Sequence, residues 1–245
     1  MGNFFQEFKD ANKNMTPLSK LALIGAFIFL FLRLNLERVF QINTGVEIII
    51  LIFSLVLHEL GHGFMAYFCG DQTAKIYGRL SLNPLKHLDP VGTLFPILMI
   101  LIGSPMVIGW AKPVPVNYRG FKNGRVGEFL VAISGALMNF ILVIIGAILF
   151  REFRFSSDFI LLNGLEYLIT INIILGIFNL LPIPPLDGSR VIGSFLSGRN
   201  REVIFDYDRF GILIVIFLGY FGILNKILGP IYITLINLIN YYIAM

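Results

Sequence analysis

Long apolar blocks dominate this chain and leave few folds open to it. Six of them, near residues 18–33, 46–69, 126–150, 159–182, 208–223 and 228–245, reach or approach the roughly 20 residues a helix needs to cross a bilayer. A water-soluble globule could not coat itself from this composition. Of the 245 residues, 56% are hydrophobic and 14% charged, whereas soluble domains carry roughly 25% charged residues. The predicted fold class is an all-α polytopic membrane protein with about six transmembrane helices. Residues 1–245 read as a single membrane domain, with a core over 46–191 and peripheral helices at 18–33 and 208–245.

The stretch 91–109 is also apolar, but Gly92, Pro96, Gly103, Pro105 and Gly109 interrupt it every few residues, which argues against a straight helix. It is expected to enter the membrane and return. Three polar loops, 70–90, 110–125 and 183–207, fall short of the about 50 residues of a separate domain. Residues 110–117, Trp-Ala-Lys-Pro-Val-Pro-Val-Asn, read as a short extended strand. Pro113 and Pro115 lie on the same side of it and confine it to a sheet edge.

Charge excludes one class of function. The net charge of +4 comes from 19 Lys and Arg spread over the loops, as suits a membrane protein facing anionic headgroups. No basic run alternates with aromatics, so nucleic-acid binding is not expected. The lone Cys69 allows no intramolecular disulfide and reads as a packed or lipid-facing thiol. Leu21–Leu32 is followed by Arg33 to Arg38 without a small-residue cleavage signature, so it reads as a retained membrane segment.

The chemistry concentrates in His58-Glu59-Leu60-Gly61-His62, inside the second apolar block. Helix positions four apart share a face, so the two imidazoles converge on one point. A catalytic zinc takes three protein ligands and leaves one position open. Glu59 lies beside that face, placed to take a proton from a water whose pKa the metal lowers to about 7. A charged group at mid-bilayer costs roughly 2.5–3.5 kcal/mol on insertion scales, so such residues usually carry function.

A third ligand has to come from elsewhere, and His87 and Asp187 are the candidates. His87 sits in the most polar loop, between Lys86 and Asp89, where a solvated or loop-stapling histidine is ordinary. Asp187 follows an apolar helix that Pro182, Pro184 and Pro185 must break, and Gly188 permits a tight backbone beside it. Irregular backbone at membrane depth needs a protein or cavity lining, so context favours Asp187. Asn179, just before the prolines, could donate to an oxyanion or hold a substrate backbone, and Asn139, in an apolar helix, could do the same or simply bond between helices. Asn172 reads as helix–helix glue.

These motifs together resemble a known family. His58 to His62, then Ser134-Gly-Ala-Leu-Met-Asn139, then Asn179-Leu-Leu-Pro-Ile-Pro-Pro-Leu-Asp187-Gly188 look like the site-2 proteases, intramembrane zinc metalloproteases. The resemblance runs over about residues 46–191 and implies one zinc per chain on His58, His62 and Asp187, with Glu59 as catalytic base. The family's middle motif is usually Gly-Pro-x-x-Asn, and Ala136 stands here at the proline. The segments 83–96 and 110–117 look like the compact members that lack a PDZ domain.

The implied activity is hydrolysis of peptide bonds in or near transmembrane segments of other membrane proteins. A divalent-metal transporter and a catalytically silent homologue that binds membrane segments are the alternatives, and an intact Glu59 argues against both. The metal ligands must meet on one side, which requires an even number of crossings between them. If 91–109 re-enters, the side holding the N-terminus, 70–125 and 183–207 with Arg209 carries 14 Lys and Arg, and the other side 5. Positive-inside bias then puts both termini in the cytoplasm. A prokaryotic plasma membrane is the expected location.

Overall fold

A computed structural model of the chain describes residues 40–87, 89–103, 112–199 and 206–244, with a few isolated positions besides. The expected 18–33 helix lies largely outside the described residues. Among the described residues, eight α-helices have defined bounds, in chain order: α1 (Ile42–Phe68), α2 (Thr73–Ile76), α3 (Pro90–Leu101), α4 (Gly124–Phe153), α5 (Phe159–Asn179), α6 (Asp187–Phe195), α7 (Asp208–Tyr220) and α8 (Ile223–Ala244).

Among the described residues, α1, α4, α5 and α8 are long and apolar enough to cross a membrane. At 1.5 Å per residue they run about 31–45 Å, against a hydrocarbon core of about 30 Å. The chain is thus an integral membrane protein. The block at 208–223, read from sequence as a span, forms the 13-residue α7, and 91–109 forms the 12-residue α3 as far as Leu101. Those helices measure only about 18–20 Å, too short to span unaided.

The expected edge strand at 110–117 is not seen over its described part. Residues 112–117 are irregular, with no strand partner among the described residues. The physical reason lies in where its donors go. Val114 N–H donates to the Glu59 carboxylate (2.9 Å), Asn117 N–H to Asp71 Oδ2 (2.7 Å) and Lys112 N–H to the His87 carbonyl (2.8 Å). Side chains and an isolated loop carbonyl satisfy the segment, so no ladder is needed.

The core forms where α4 packs against α1 on one flank and α5 on the other. Gly61 permits the close approach of α1 to α4, because a Cβ there would lie 2.7 Å from the Ser134 carbonyl oxygen. Val143 and Ala147 of α4 meet Ile169, Ile173 and Ile177 of α5, and α8 covers them with Leu228, Tyr232, Leu235 and Ile236. Leu51 of α1, Ile100 of α3 and Ile171 of α5 form a second cluster. Apolar burial contributes little between helices in lipid, so tight packing of small residues and interhelical hydrogen bonds holds such a bundle.

Candidate metal centre

Two elements carry the site to one place. Helix α1 presents His58 and His62 one turn apart, both buried against α4. Asp158 caps α5 at its start, its carboxylate accepting from the N–H groups of Ile160 and Leu161 (3.0 Å each). The helix stops at Asn179, and Pro182, Pro184 and Pro185 forbid its continuation. The chain turns there and restarts as α6, whose first residue is Asp187. A carboxylate suits that position, because the exposed N–H groups of a helix start favour negative charge. Gly188 lets the turn close: a Cβ there would lie 2.2 Å from the Leu180 carbonyl oxygen.

The result is a nearly equilateral triangle of ligand-type atoms. His58 Nε2 and His62 Nε2 are 3.2 Å apart, and each is 3.2 Å from Asp187 Oδ2. His62 Nδ1 is 2.7 Å from the Val131 carbonyl. A carbonyl only accepts, so Nδ1 of the neutral ring carries the proton and Nε2 points a bare lone pair into the triangle. Asp187 Oδ2 is buried with no hydrogen-bond partner among the described residues.

Acceptors turned on one another repel unless a cation sits between them. A tetrahedral ion with bonds of about 2.0–2.1 Å separates its ligands by about 3.3–3.4 Å, close to the edges found. Gly135 keeps the space open. A Cβ at that position would lie 2.3 Å from His62 Nε2 and 2.7 Å from His58 Nε2, where an ion would sit. The residues present fit a zinc-sized ion. Among the described residues, this is the one group of His, Cys, Asp or Glu side chains so arranged.

The remaining expectations separate. Glu59 is half-buried beside the triangle, its Oε2 accepting from Val114 N–H. His87 stands apart from the ligand group. It is fully buried, its Nε2–H donates to the Ser81 carbonyl (2.8 Å), and burial holds its imidazole below the usual histidine range. Asn139 is fully buried, with Oδ1 at 2.7 Å from His58 Nδ1 and Nδ2 donating to Asn172 Oδ1 (2.8 Å). Asn179 is half-buried and donates to the Leu175 carbonyl of its own helix (2.9 Å).

Sequence reasoning did not find Gly135, although the glycine of the middle motif was visible. Nor did it find Asp71 and Arg79, which hold the segment facing Glu59. Arg79 Nη2 donates to the carbonyls of Lys112 (2.7 Å) and Pro113 (3.2 Å). The signal was two ionisable residues in a short loop, a pattern too common to single out.

Comparison with known proteins agrees with this arrangement. The model of Peptidase family M50 matches residues 46–159 and 154–221. A Bacillus subtilis protein named "Putative zinc metalloprotease YwhC" is 39% identical over 190 residues, covering 75% of this chain and 84% of its own length. The Mycolicibacterium smegmatis protein named "Putative zinc metalloprotease Rip2" is 30% identical over 187 residues, covering 75% of this chain and 71% of that one. Zinc metalloprotease MJ0392 of Methanocaldococcus jannaschii is 29% identical over 162 residues, covering 65% of this chain but 37% of its own. No solved structure matches the chain. With this triangle, the apolar helices around it and a family match over most of its length, the chain belongs to peptidase family M50, the site-2 proteases.

Proposed function

We propose that this protein is an intramembrane zinc metalloprotease that hydrolyses peptide bonds in or near transmembrane segments of membrane proteins. The observation that carries the reading is the triangle of bare acceptors beside Glu59, inside a bundle of membrane-crossing helices. The names of the relatives, zinc metalloproteases in three organisms, support it. The transporter alternative lacks support, because a transport path needs successive sites and the described residues offer one such group.

His58, His62 and Asp187 hold the ion. Bound zinc supplies Lewis-acid polarisation of the scissile carbonyl and lowers the pKa of water to about 7. Glu59 takes the proton from the attacking water and delivers it to the leaving amine, a role that suits a half-buried carboxylate. The Val114 N–H holds one oxygen of that carboxylate and leaves the other for the water. We assign Asn139 to His58 and not to substrate, since its oxygen faces the ring. Asn179 remains the polar group proposed to meet the substrate backbone.

The re-entrant arrangement of 91–109, a cytoplasmic N-terminus and a prokaryotic plasma membrane belong to the same proposal, whereas a C-terminus on that same face would need 208–223 to cross, for which α7 is too short. The shortness of α3 supports the first. Cysteines introduced near Arg119 and Arg151 should react from opposite faces of the membrane; labelling from one face overturns this topology. The activity is tested with Glu59→Gln in liposomes that also hold single-span membrane proteins. Zinc content should stay at the wild-type value while cleavage falls by about 10²–10⁴-fold. Cleavage at the wild-type rate removes Glu59 from the mechanism.

A further inference from the structure

A line of hydrogen bonds crosses the apolar core from His58 to two residues with no place in the chemistry above. Asn139 of α4, Asn172 of α5 and Ser54 of α1 are each 0% exposed. His58 Nδ1 lies 2.7 Å from Asn139 Oδ1, and Asn139 Nδ2 donates to Asn172 Oδ1 (2.8 Å). Asn172 Nδ2 donates both to Ser54 Oγ (2.8 Å) and to the Leu168 carbonyl (2.9 Å). Burying three polar side chains this deep is unfavourable unless each is paired.

The line has a direction, and one backbone atom sets it. The Leu168 carbonyl only accepts, so the Asn172 atom facing it must be the amide nitrogen. That turns Asn172 Oδ1 towards α4, where it can only accept, so the Asn139 atom meeting it is Nδ2. Asn139 Oδ1 is left facing His58, so Nδ1 of the neutral ring carries the proton. The Nε2 lone pair of His58 then points at His62 and Asp187.

We infer that Asn172, anchored by Ser54 and the Leu168 carbonyl, is a positioning residue that sets the tautomer and ring orientation of His58 through Asn139. The inference rests on the reading of His58, His62 and Asp187 as metal ligands. Without Asn172, the Asn139 amide is free to turn half over and offer its NH2 to Nδ1. The His58 proton then sits on Nε2, in the space the ion needs. Outer-shell partners of this kind change metal affinity by about 10–100-fold.

The test measures zinc affinity by chelator competition on the purified full chain in detergent, beside the unfolding midpoint of the metal-free protein. Asn172→Leu should weaken zinc binding by about 10–100-fold. Asn139→Asp supplies the decisive background, because a carboxylate accepts from Nδ1–H whichever way it is turned. Adding Asn172→Leu to Asn139→Asp should therefore cost no further affinity. Equal losses in both backgrounds, or a lower midpoint with unchanged affinity, reduce Asn172 to helix–helix glue and overturn the proposal. If Asn172→Leu does not fold, Ser54→Ala carries the test: a smaller loss in the same direction supports the line, and none overturns it. Asp187→Ala separates the two readings. Wild-type affinity in that variant overturns the ligand assignment, and this inference with it.

Discussion

Two polar clusters in this molecule both use histidine and aspartate, in opposite ways. Around Asp187, two imidazoles and a carboxylate turn acceptor atoms towards each other at 3.2 Å. In the loop cluster, Asp71, Arg79 and His87 are buried, and each bonds to backbone groups. Asp71 accepts from Asn117 N–H, Arg79 donates to two carbonyls, and His87 donates to a third. The presence of a histidine and an aspartate does not by itself distinguish the clusters. Convergence of lone pairs suits the first to holding a metal ion, and the matching of side-chain to backbone groups makes the second a scaffold. The two meet at Val114 N–H, where the scaffold touches Glu59.

That contrast can be broken most sharply at Gly135. Gly135→Ala puts a methyl group in the space between the histidines, so metal analysis should find zinc reduced to a trace in a chain of unchanged helix content. Full occupancy there would mean that the ion sits elsewhere. Next in size is the pair Asp187→Ala and His87→Ala. The first removes the proposed third ligand and should weaken zinc binding beyond the about 100-fold of an outer-shell loss. The second should leave binding intact and lower stability by about 1–3 kcal/mol, because the Ser81 carbonyl loses its partner.

The smallest effect is expected at Arg79. Arg79→Gln removes charge-assisted hydrogen bonds worth about 1.5–3 kcal/mol, of which the shorter glutamine recovers part. The unfolding midpoint should drop and cleavage should slow as 112–117 shifts against Glu59, with zinc affinity unchanged. Zinc loss in that variant would merge the two clusters and end the distinction.

Much of this was readable in one dimension. An i, i+4 pair of histidines converges because helix geometry is local, and apolar blocks of this length become helices because lipid offers backbone no other partner. The prolines after Asn179 likewise mark the turn that frees Asp187. The strand reading of 110–117 failed for the complementary reason. Alternation and proline spacing describe a strand's own faces, but not whether a neighbour exists to pair with it.

The sequence by itself thus determined the membrane setting, the two-histidine face with its glutamate, and the break before Asp187. Tertiary structure alone brought the Asp187 carboxylate within 3.2 Å of both imidazoles, opened the Gly135 space, and joined His58 to Asn139 and Asn172. Those contacts link residues on different helices. They depend on how each helix is rotated and shifted against the next, and that is settled by packing across the whole bundle.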